Sequence, residues 1–401
     1  MFGYGFLAVI LVLYLQSLGL DGASIGLLLG LTLLGDAAIS LLLTTRADRF
    51  GRRRTLFLGS LLMVGAGIAF ASTDLFPVLL VAATLGVLSP SGNEVGPFLA
   101  IEQASLAQLV DDRSRTSLFA RYQVVGSVST AFGSLGAGIV TQAALQAGLV
   151  QVDAYRVVIV GYAVIGIAMA FVFPLLSRAV EVPVRTVAPG EAAPAAQPAT
   201  RLGLHRSRGI VARLSALFAL DAFGGGFVMQ GFIAFWLTTT FGADPAQIGA
   251  ILFGANILAA LSALAAGPLA ARFGLIRTMV YTHLPSNVLL ILVPFMPTLE
   301  LATLLLFIRF SISQMDVPTR QSYTIAVVDP DERSAAAGVT GIARSLGVAA
   351  SPLIAGPLYL GASFAGAPFV IGGSIKIVYD LLLYRAFSTV KPPEERQPEG
   401  A

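Results

Sequence analysis

Cysteine is absent and charge is scarce in this sequence, and both shortages narrow what the protein can do. None of the 401 residues is cysteine, which excludes disulfides, thiolate catalysis and cysteine-ligated metals. The two histidines, His205 and His283, are too few for a metal site built on histidine, so we predict neither metal nor cofactor. Charged side chains make up only 12% of the chain, against about 25% in soluble domains. Water is therefore not the main solvent of this protein.

What the sequence has instead is a series of apolar stretches. Hydrophobic residues make up 56% of the chain, and the mean hydropathy is +0.82. Each stretch is about 20 residues long, which is enough to cross a hydrocarbon core of about 30 Å. The stretches predict twelve transmembrane helices, near residues 3–20, 24–45, 54–72, 77–108, 116–143, 155–177, 210–240, 246–271, 276–296, 300–327, 334–360 and 366–388.

One polar segment interrupts this series near its middle. Residues 179–208 are rich in Pro, Ala and Arg, a composition that cannot form a packed core and is typical of a flexible linker. We therefore predict two bundles of six helices, residues 1–178 and 209–390, joined by this linker and followed by a tail at residues 391–401.

Basic residues are confined to alternate turns between the predicted helices. Lys and Arg are missing from the turns at residues 21–23, 73–76, 143–153, 241–246, 296–300 and 361–366. The other turns carry Arg46, Arg49, Arg52, Arg53, Arg54, Arg113, Arg115, the linker arginines, Arg272, Arg277, Arg333 and Lys391. By the positive-inside rule, the linker and both termini are cytoplasmic in a multi-pass protein of the inner (plasma) membrane. The net charge of +3 then reflects topology, and no nucleic-acid partner is predicted.

The two halves also repeat in sequence. A constant offset of 223 pairs Asp21, Ile25, Gly26, Arg49, Phe50, Gly51 and Arg54 with Asp244, Ile248, Gly249, Arg272, Phe273, Gly274 and Arg277. Further along, an offset of 218 pairs Gln103, Asp111, Arg115, Ser127, Ala137 and Gly138 with Gln321, Asp329, Arg333, Ser345, Ala355 and Gly356. Six helices per half make the repeat parallel. The fold class is therefore an all-α membrane protein whose two bundles are related by a pseudo-two-fold axis along the membrane normal.

The same repeat bears on the first helix. Met1 falls opposite Gly224, so helix 1 has no counterpart of residues 210–223. Either this helix is unusually short or the start codon is assigned too far downstream, and we favour the second explanation because residues 1–20 barely span a bilayer and carry no basic anchor.

The turn between helices 2 and 3 resembles the signature of the major facilitator superfamily, and the resemblance extends over essentially the whole chain. Five residues match that signature, while Thr44 replaces its opening glycine: Asp48, Arg49, Gly51, Arg52 and Arg53. The second copy, Gly267 to Arg277, keeps the glycine but has Ala271 in place of the acid. The resemblance implies a gating latch that stabilises the outward-facing state. The alternative is that these arginines only anchor the topology.

Helix 11 resembles a second signature of the superfamily, one linked to proton-coupled exporters. Gly338, Gly347, Pro352 and Gly356 follow its spacing, although the signature belongs in helix 5, which has no proline here. The resemblance favours export through a bend at Pro352. The alternative is that the small residues only allow close helix packing.

Helix 4 carries the most informative charge within the predicted membrane layer. Two prolines and two glycines interrupt the helix around Asn93 and Glu94. An intramembrane acid is costly, on the order of 2.5–3.5 kcal/mol, and is a functional candidate by default. We predict that Glu94 binds the coupled proton or the substrate, with Asn93 as a hydrogen-bonding partner. The alternative is a carboxylate held by a structural arginine.

Helix 10, the repeat partner of helix 4, carries Arg309, Asp316 and Arg320 on one face. We predict an i,i+4 ion pair between Asp316 and Arg320. Arg309 has no obvious local partner and is a candidate to compensate Glu94 or to bind an anionic substrate. Glu102 lies at the repeat position of Arg320, which suggests bridges between the halves.

Three further polar residues are candidates for the cavity: Asp36 on helix 2, and Asp221 and Gln230 on helix 7. We interpret Lys376 and Asp380 as a structural i,i+4 pair, and His283 as a packing residue.

The sequence therefore predicts a monomeric secondary transporter that uses alternating access. Our leading hypothesis is a proton-driven antiporter for the efflux of an amphipathic or drug-like compound. Uptake of a polar or anionic metabolite and a non-transporting, sensor-like protein remain alternatives. An ATP-driven pump is excluded because no phosphate-binding loop occurs, and an enzyme is not predicted because no His-Glu-x-x-His run does. The expected partners are a small solute, protons and the lipid bilayer.

Overall fold

The computed structural model describes residues 1–92, 97–109, 112–181, 204–361, 364–390 and 392. Within these ranges, the side chains of residues 48, 49, 97, 107, 109, 112–117, 119 and 120 are not described. The regular elements of the described ranges are helical: α1 (Phe2–Ala8), α2 (Leu11–Ser17), α3 (Gly22–Phe50), α4 (Arg52–Ser72), α5 (Phe76–Leu85), α6 (Pro97–Leu109), α7 (Asp112–Gln146), α8 (Gln151–Val172), α9 (Arg208–Gly226), α10 (Gln230–Phe241), α11 (Pro245–Phe273), α12 (Leu275–Leu292), α13 (Leu299–Ser313), α14 (Asp316–Ala326), α15 (Arg333–Ala350), α16 (Pro352–Gly361) and α17 (Ala367–Phe387), with short 3-10 turns.

These helices fill all twelve predicted spans, and the all-α fold class is confirmed. Among the described residues, ten helical stretches are long and apolar enough to cross a membrane. The first and fourth spans are assembled from shorter helices, α1 with α2 and α5 with α6. The seventh, tenth and eleventh spans are interrupted as well, between α9 and α10, α13 and α14, and α15 and α16.

The interruptions follow the repeat, and only some of them have an obvious cause in the sequence. Pro352 begins α16 directly after Ser351, as the expected bend requires. Spans one, four, seven and ten are all interrupted, and these occupy equivalent positions in the two halves. The breaks at Val9 and Ile10, and at Gln314 and Met315, contain no proline and were not predicted.

Residues that recur in the repeat have the same structural roles in both halves. Asp21 and Asp244 cap the N-termini of α3 and α11, and each carboxylate accepts a backbone N–H bond, at 2.8 and 2.7 Å. Gly51 and Gly274 end the same helices with φ of 102° and 85°, a region that favours glycine. The repeat thus preserves where helices begin and end.

The two halves make their closest contacts at one side of the bundle. We call the side on which α4 begins at Arg52 the basic face, and the side on which α3 begins at Gly22 the opposite face. Near the opposite face, α3 packs on α16, α7 on α11 and α2 on α10. The packing leaves no room for a Cβ between Gly26 and the Pro352 carbonyl, or between Gly138 and the Pro245 carbonyl. The halves are therefore in backbone contact on that side.

Candidate functional site

A set of ionisable and amide side chains lies inside the second bundle, on helices α9, α12, α14, α15 and α17. We call it the C-bundle charge cluster; its members are Asp221, His283, Asn287, Asp316, Arg320, Arg344, Lys376 and Asp380. All of them are buried except Arg344, whose side chain is 34% exposed. Charges at such a depth persist only when they are paired or reach water.

Asp221 is the centre of the cluster. Its Oδ1 accepts from Lys376 Nζ at 2.5 Å, and its Oδ2 accepts from Arg344 Nη1 at 3.0 Å and from Arg320 Nη1 at 3.3 Å. These three cations come from α17, α15 and α14, so one carboxylate on α9 joins four helices. The carboxylate is 3% exposed and gains enough charge-assisted hydrogen bonds to remain ionised inside the bundle.

His283 and Asp380 form a second layer behind Asp221. His283 Nδ1 lies 2.8 Å from Asp380 Oδ1, and Asn287 donates to the other Asp380 oxygen at 3.0 Å. His283 and Asn287 are four residues apart and therefore share one face of α12. The far side of the imidazole points toward the first layer, with Nε2 3.5 Å from Lys376 Nζ and 3.7 Å from Asp221 Oδ1.

Glycines bring the supporting helices close enough for these contacts. A Cβ added at Gly372 would lie 2.7 Å from the Gly224 carbonyl oxygen, so α17 crosses α9 in near-backbone contact and Lys376 reaches Asp221. Gly347 allows the same close approach of α15 to α9, against the Ala219 carbonyl. Gly347 therefore serves helix packing here, and its expected link to export stays a prediction.

The ion pairs confirm one sequence expectation and contradict another. Asp316 and Arg320 pair at 2.7 Å along α14, as predicted. Lys376 and Asp380 do not form the expected i,i+4 pair, because Asp221 and His283 on other helices bind them. Tyr122 donates to Glu102 inside the first bundle, and the suggested bridges between the halves stay a prediction.

Arg309 lies on α13, buried in the tenth span. Its guanidinium is 4.8 Å from the centre of the Phe310 ring, and its Nε has no hydrogen-bond partner among the described residues. Arg309 lies near Asp316 without forming an ion pair with it, and its assignment to the cavity stays a prediction. A buried cation with spare donor capacity is suited to an anion from solution.

Gln230 begins α10, immediately after the interruption of the seventh span. Its amide donates to Asn256 Oδ1 on α11 at 2.7 Å, and a Cβ added at Gly92 would lie 2.6 Å from its Oε1. Gln230 therefore contacts the interruption of the fourth span, at the centre of the molecule. Asn256 was missed by the sequence analysis, although an amide in the apolar run of α11 was a usable signal.

The remaining intramembrane candidates of the first half are only partly described. Asn93 and Glu94 lie outside the described residues. Asp36 is buried in α3, with 7% of its surface exposed. The assignment of these three residues to the cavity stays a prediction.

The signature turn is held by an acid that the sequence analysis did not single out. The backbone N–H groups of Arg52 and Arg53 donate to the Glu181 carboxylate at 2.7 and 3.2 Å, which caps the start of α4. The Arg52 guanidinium donates to Gln108 on α6 at 3.0 Å. The first residues of the predicted linker are thus anchored to the first bundle. The side chains of Asp48 and Arg49 lie outside the description.

The second bundle anchors the other end of the linker in a similar way. The Glu332 carboxylate accepts from the backbone N–H groups of His205, Arg206 and Ser207, the last two at 2.9 Å. These residues precede α9, so the acid caps that helix. An acid therefore holds the chain at each end of residues 182–203, each in its own half.

Two features that could suggest other chemistry have simpler explanations. His205, Asp329 and Glu332 place ligand atoms within 4.8 Å of one another, but Glu332 is already committed to three backbone donors. We therefore assign no metal there. The run Gly22 to Gly26 has the letters of a Gly-x-Ser-x-Gly nucleophile elbow, yet it opens helix α3 instead of following a strand.

Three comparisons relate this chain to known proteins. The family model described as Major Facilitator Superfamily matches residues 1–240 and 214–401, which together cover the chain. The "Uncharacterized membrane protein YJR124C" of Saccharomyces cerevisiae is 29% identical over 416 residues, covering 98% of this chain and 93% of that protein. The fold is similar to that of a bacterial homolog of the human lysosomal transporter Spinster (TM-score 0.73, 16% identity, 97% and 95% of the two chains). It is also similar to a D-xylose-proton symporter (TM-score 0.71, 15% identity, 96% and 94%).

Proposed function

Because the chain belongs to the Major Facilitator Superfamily, we propose that it is a secondary transporter that moves a small solute by alternating access, driven by the proton gradient. Two six-helix bundles in one orientation can rock about a shared axis and expose a central site to each side in turn. The interruptions of spans one, four and seven meet at that centre, where Gln230 contacts the break in the fourth span.

The packing of the halves supports an inward-facing state. The halves are in backbone contact near the opposite face, at Gly26 and Gly138. The exposed part of the C-bundle charge cluster, Arg344, is on α15, which begins at the basic face. If the basic face is cytoplasmic, as its arginines suggest, the molecule is closed to the outside.

The charge of the second bundle favours a polar solute that carries a negative charge. Within the described membrane-spanning helices of this bundle, four cations (Arg309, Arg320, Arg344 and Lys376) accompany three acids (Asp221, Asp316 and Asp380). A fourth buried acid, Glu332, lies in the turn before α15 and is bonded to backbone N–H groups. Arg309 is the one of the four cations without an ion pair, and its Nε has no partner. An anionic solute would supply the missing charge. This observation carries the proposal and favours transport of a polar or anionic metabolite over efflux of an amphipathic compound.

Efflux of an amphipathic compound is the second candidate function. A cavity of about 240 Å³ beside Met1 has mostly apolar walls, with the Glu102 carboxylate and the Tyr122 hydroxyl among its lining. A lipophilic cation would fit such a surface. Antiport with protons would then use the first bundle, through Glu94 or Asp36.

Proteoliposomes with an internal pH-sensitive dye would separate the two candidates. The probes are small carboxylates and phosphates in one series and lipophilic cations in another. We expect an anion to drive proton movement, and we expect Arg309→Gln to abolish that movement. The control is Arg156→Gln, a change at the opposite face, which should leave the movement intact. A response to lipophilic cations alone, unaffected by Arg309→Gln, would overturn the anion proposal. Glu94→Gln tests the first bundle, because unchanged coupling in that variant would remove Glu94 from the role.

Topology can be tested directly because the chain has no cysteine of its own. We expect single cysteines at Ala193→Cys and Ser388→Cys to react with a membrane-impermeant maleimide only from the cytoplasmic side. Ala147→Cys and Pro297→Cys, at turns of the opposite face, should react only from outside. Labelling of residue 193 from outside would contradict the proposed orientation in the plasma membrane.

A further inference from the structure

The hydrogen bonds of His283 define which of its nitrogens carries a proton. Nδ1 faces the Asp380 carboxylate at 2.8 Å, and a carboxylate offers only acceptors, so Nδ1 carries hydrogen. Nε2 faces the Lys376 ammonium at 3.5 Å, which offers only donors, so Nε2 holds a lone pair. Asn287 Nδ2, 3.2 Å from Nδ1, is a second donor to the same carboxylate. Contacts on both sides therefore orient the ring, and they favour the neutral Nδ1–H tautomer.

Adding a proton at Nε2 would reverse the contacts on that side. The new N–H could no longer accept from Lys376, and the two positive charges would repel each other. Its available acceptor is Asp221 Oδ1, 3.7 Å away, which Lys376 now holds at 2.5 Å. A proton on His283 and the ammonium of Lys376 therefore compete for one oxygen of the residue at the centre of the cluster.

The charges that face the imidazole come from every helix packed around it. They are Lys376, Asp380 and the Tyr379 ring edge on α17, Asp221 on α9, Asp316 and Arg320 on α14, and Arg344 on α15, with Arg309 near Asp316 on α13. Within the cluster, three acids balance three cations while His283 is neutral. A proton on the ring creates an excess positive charge that an entering anion would offset.

We propose that His283 is the binding site of the coupled proton. A hydronium ion on the side of the partly exposed Arg344 gives up a proton, which forms an N–H bond at Nε2 and leaves water, while the Nδ1–H bond to Asp380 stays in place. Asp221 then exchanges Lys376 for the imidazolium, and its bonds to Arg320 and Arg344 change with it. Asp380 is a positioning residue that sets the tautomer. The link to solute movement rests on the proposed function, whereas the proton site itself does not.

Two histidines in the whole chain make the site directly observable. The experiment is ¹⁵N NMR of histidine-labelled protein in lipid nanodiscs, on His205→Asn, which leaves one imidazole. We expect the Nδ1–H tautomer at high pH and reversible conversion to the doubly protonated ring as the pH is lowered. Asp380→Asn should lose the single tautomer while the protein still elutes as a folded monomer. A ring that stays neutral throughout, or that carries hydrogen on Nε2 at high pH, would overturn the proposal.

A conformational readout comes from the one tryptophan of the sequence. Trp236 is buried on α10, with its ring 4.7 Å from that of Phe369 on α17, the helix that carries Lys376 and Asp380. We expect a pH-dependent change in its emission in His205→Asn and no such change in His205→Asn/His283→Gln. An unchanged pH response in the double variant would contradict the proposed role.

The proteoliposome assay then distinguishes failure of this inference from failure of the proposed function. Proton movement that persists in His283→Gln would leave a proton-driven transporter whose proton binds elsewhere. The opposite outcome is that His283 titrates and Trp236 responds, but none of the tested anions or cations drives proton movement. That outcome would support the proton site and contradict the proposed transport function.

Discussion

The two bundles share a backbone plan but differ in where they keep their charge. Within the described residues, the first half buries two charged side chains, Asp36 and Arg52. The second half buries seven, namely Asp221, Arg309, Asp316, Arg320, Glu332, Lys376 and Asp380, together with His283. The residues that begin and end helices recur in both halves. The repeat therefore constrains the scaffold and leaves the chemistry of each half free to diverge.

Equivalent positions make the difference concrete. The offset of 218 that pairs Ser127 with Ser345 also pairs Gly126 with Arg344 and Glu102 with Arg320. In the second half both positions hold arginines that bind Asp221, whereas in the first half an acid bonds to Tyr122 and a glycine faces Met1. The second bundle thus has a central carboxylate that joins several helices, and the described residues of the first bundle show no equivalent at these two positions.

Removing that carboxylate should have the largest effect. Asp221→Asn keeps the shape of the side chain but leaves three buried or half-buried cations without their common partner. Breaking a buried pair in this way costs about 3–5 kcal/mol. We expect a clear loss of thermal stability in detergent, followed by circular dichroism.

The matched change in the first bundle is Glu102→Gln, which should cost only about 1 kcal/mol, because a hydrogen bond to Tyr122 is retained in part. The double variant Asp221→Asn/Lys376→Met should recover some stability, since it removes one orphan charge. Equal losses for Asp221→Asn and Glu102→Gln would contradict the contrast between the halves.

The contact between the halves offers a second, smaller effect. Gly26→Val and Gly138→Val each place side-chain atoms where the other half's backbone lies. Overpacking of this kind costs about 1–3 kcal/mol. Here it destabilises the conformation that is closed at the opposite face, relative to the open one. We expect maleimide labelling of a single cysteine introduced at a turn of the opposite face to rise by about fivefold to a hundredfold, relative to the same cysteine without the glycine substitution.

Gly65→Val is the control, because a Cβ at Gly65 meets nothing within 4 Å. Equal labelling in Gly26→Val and Gly65→Val would mean that this packing does not hold the halves together.

Most of the fold could be predicted from sequence because its signals are local. Apolar length and turn residues located all twelve spans, and Pro352 located one interruption. The breaks at residues 9–10 and 314–315 contain no proline, so the local sequence gave no signal for them.

The site was less predictable, because its bonds join different helices. Spacing along one helix was sufficient for Asp316 and Arg320. The same spacing gave a wrong prediction for Lys376 and Asp380. An i,i+4 pattern cannot show that Asp221 on α9 binds Lys376 or that His283 on α12 binds Asp380. His283 looked like a packing residue for the same reason.

The smallest expected effect concerns a feature that the halves share. Glu181→Gln weakens the cap at the start of α4, and Glu332→Gln weakens the cap at the start of α9, directly after the linker. Loss of a helix cap costs about 1 kcal/mol, so Glu181→Gln should raise hydrogen exchange at the amides of Arg52 and Arg53 several-fold. Glu332→Gln should do the same at residues 205–207 and leave the first bundle unchanged. Faster amide exchange in the half that does not carry the substitution would mean that the two capped ends are coupled. The bundles would then be less independent at the basic face than their separate hydrogen bonds indicate.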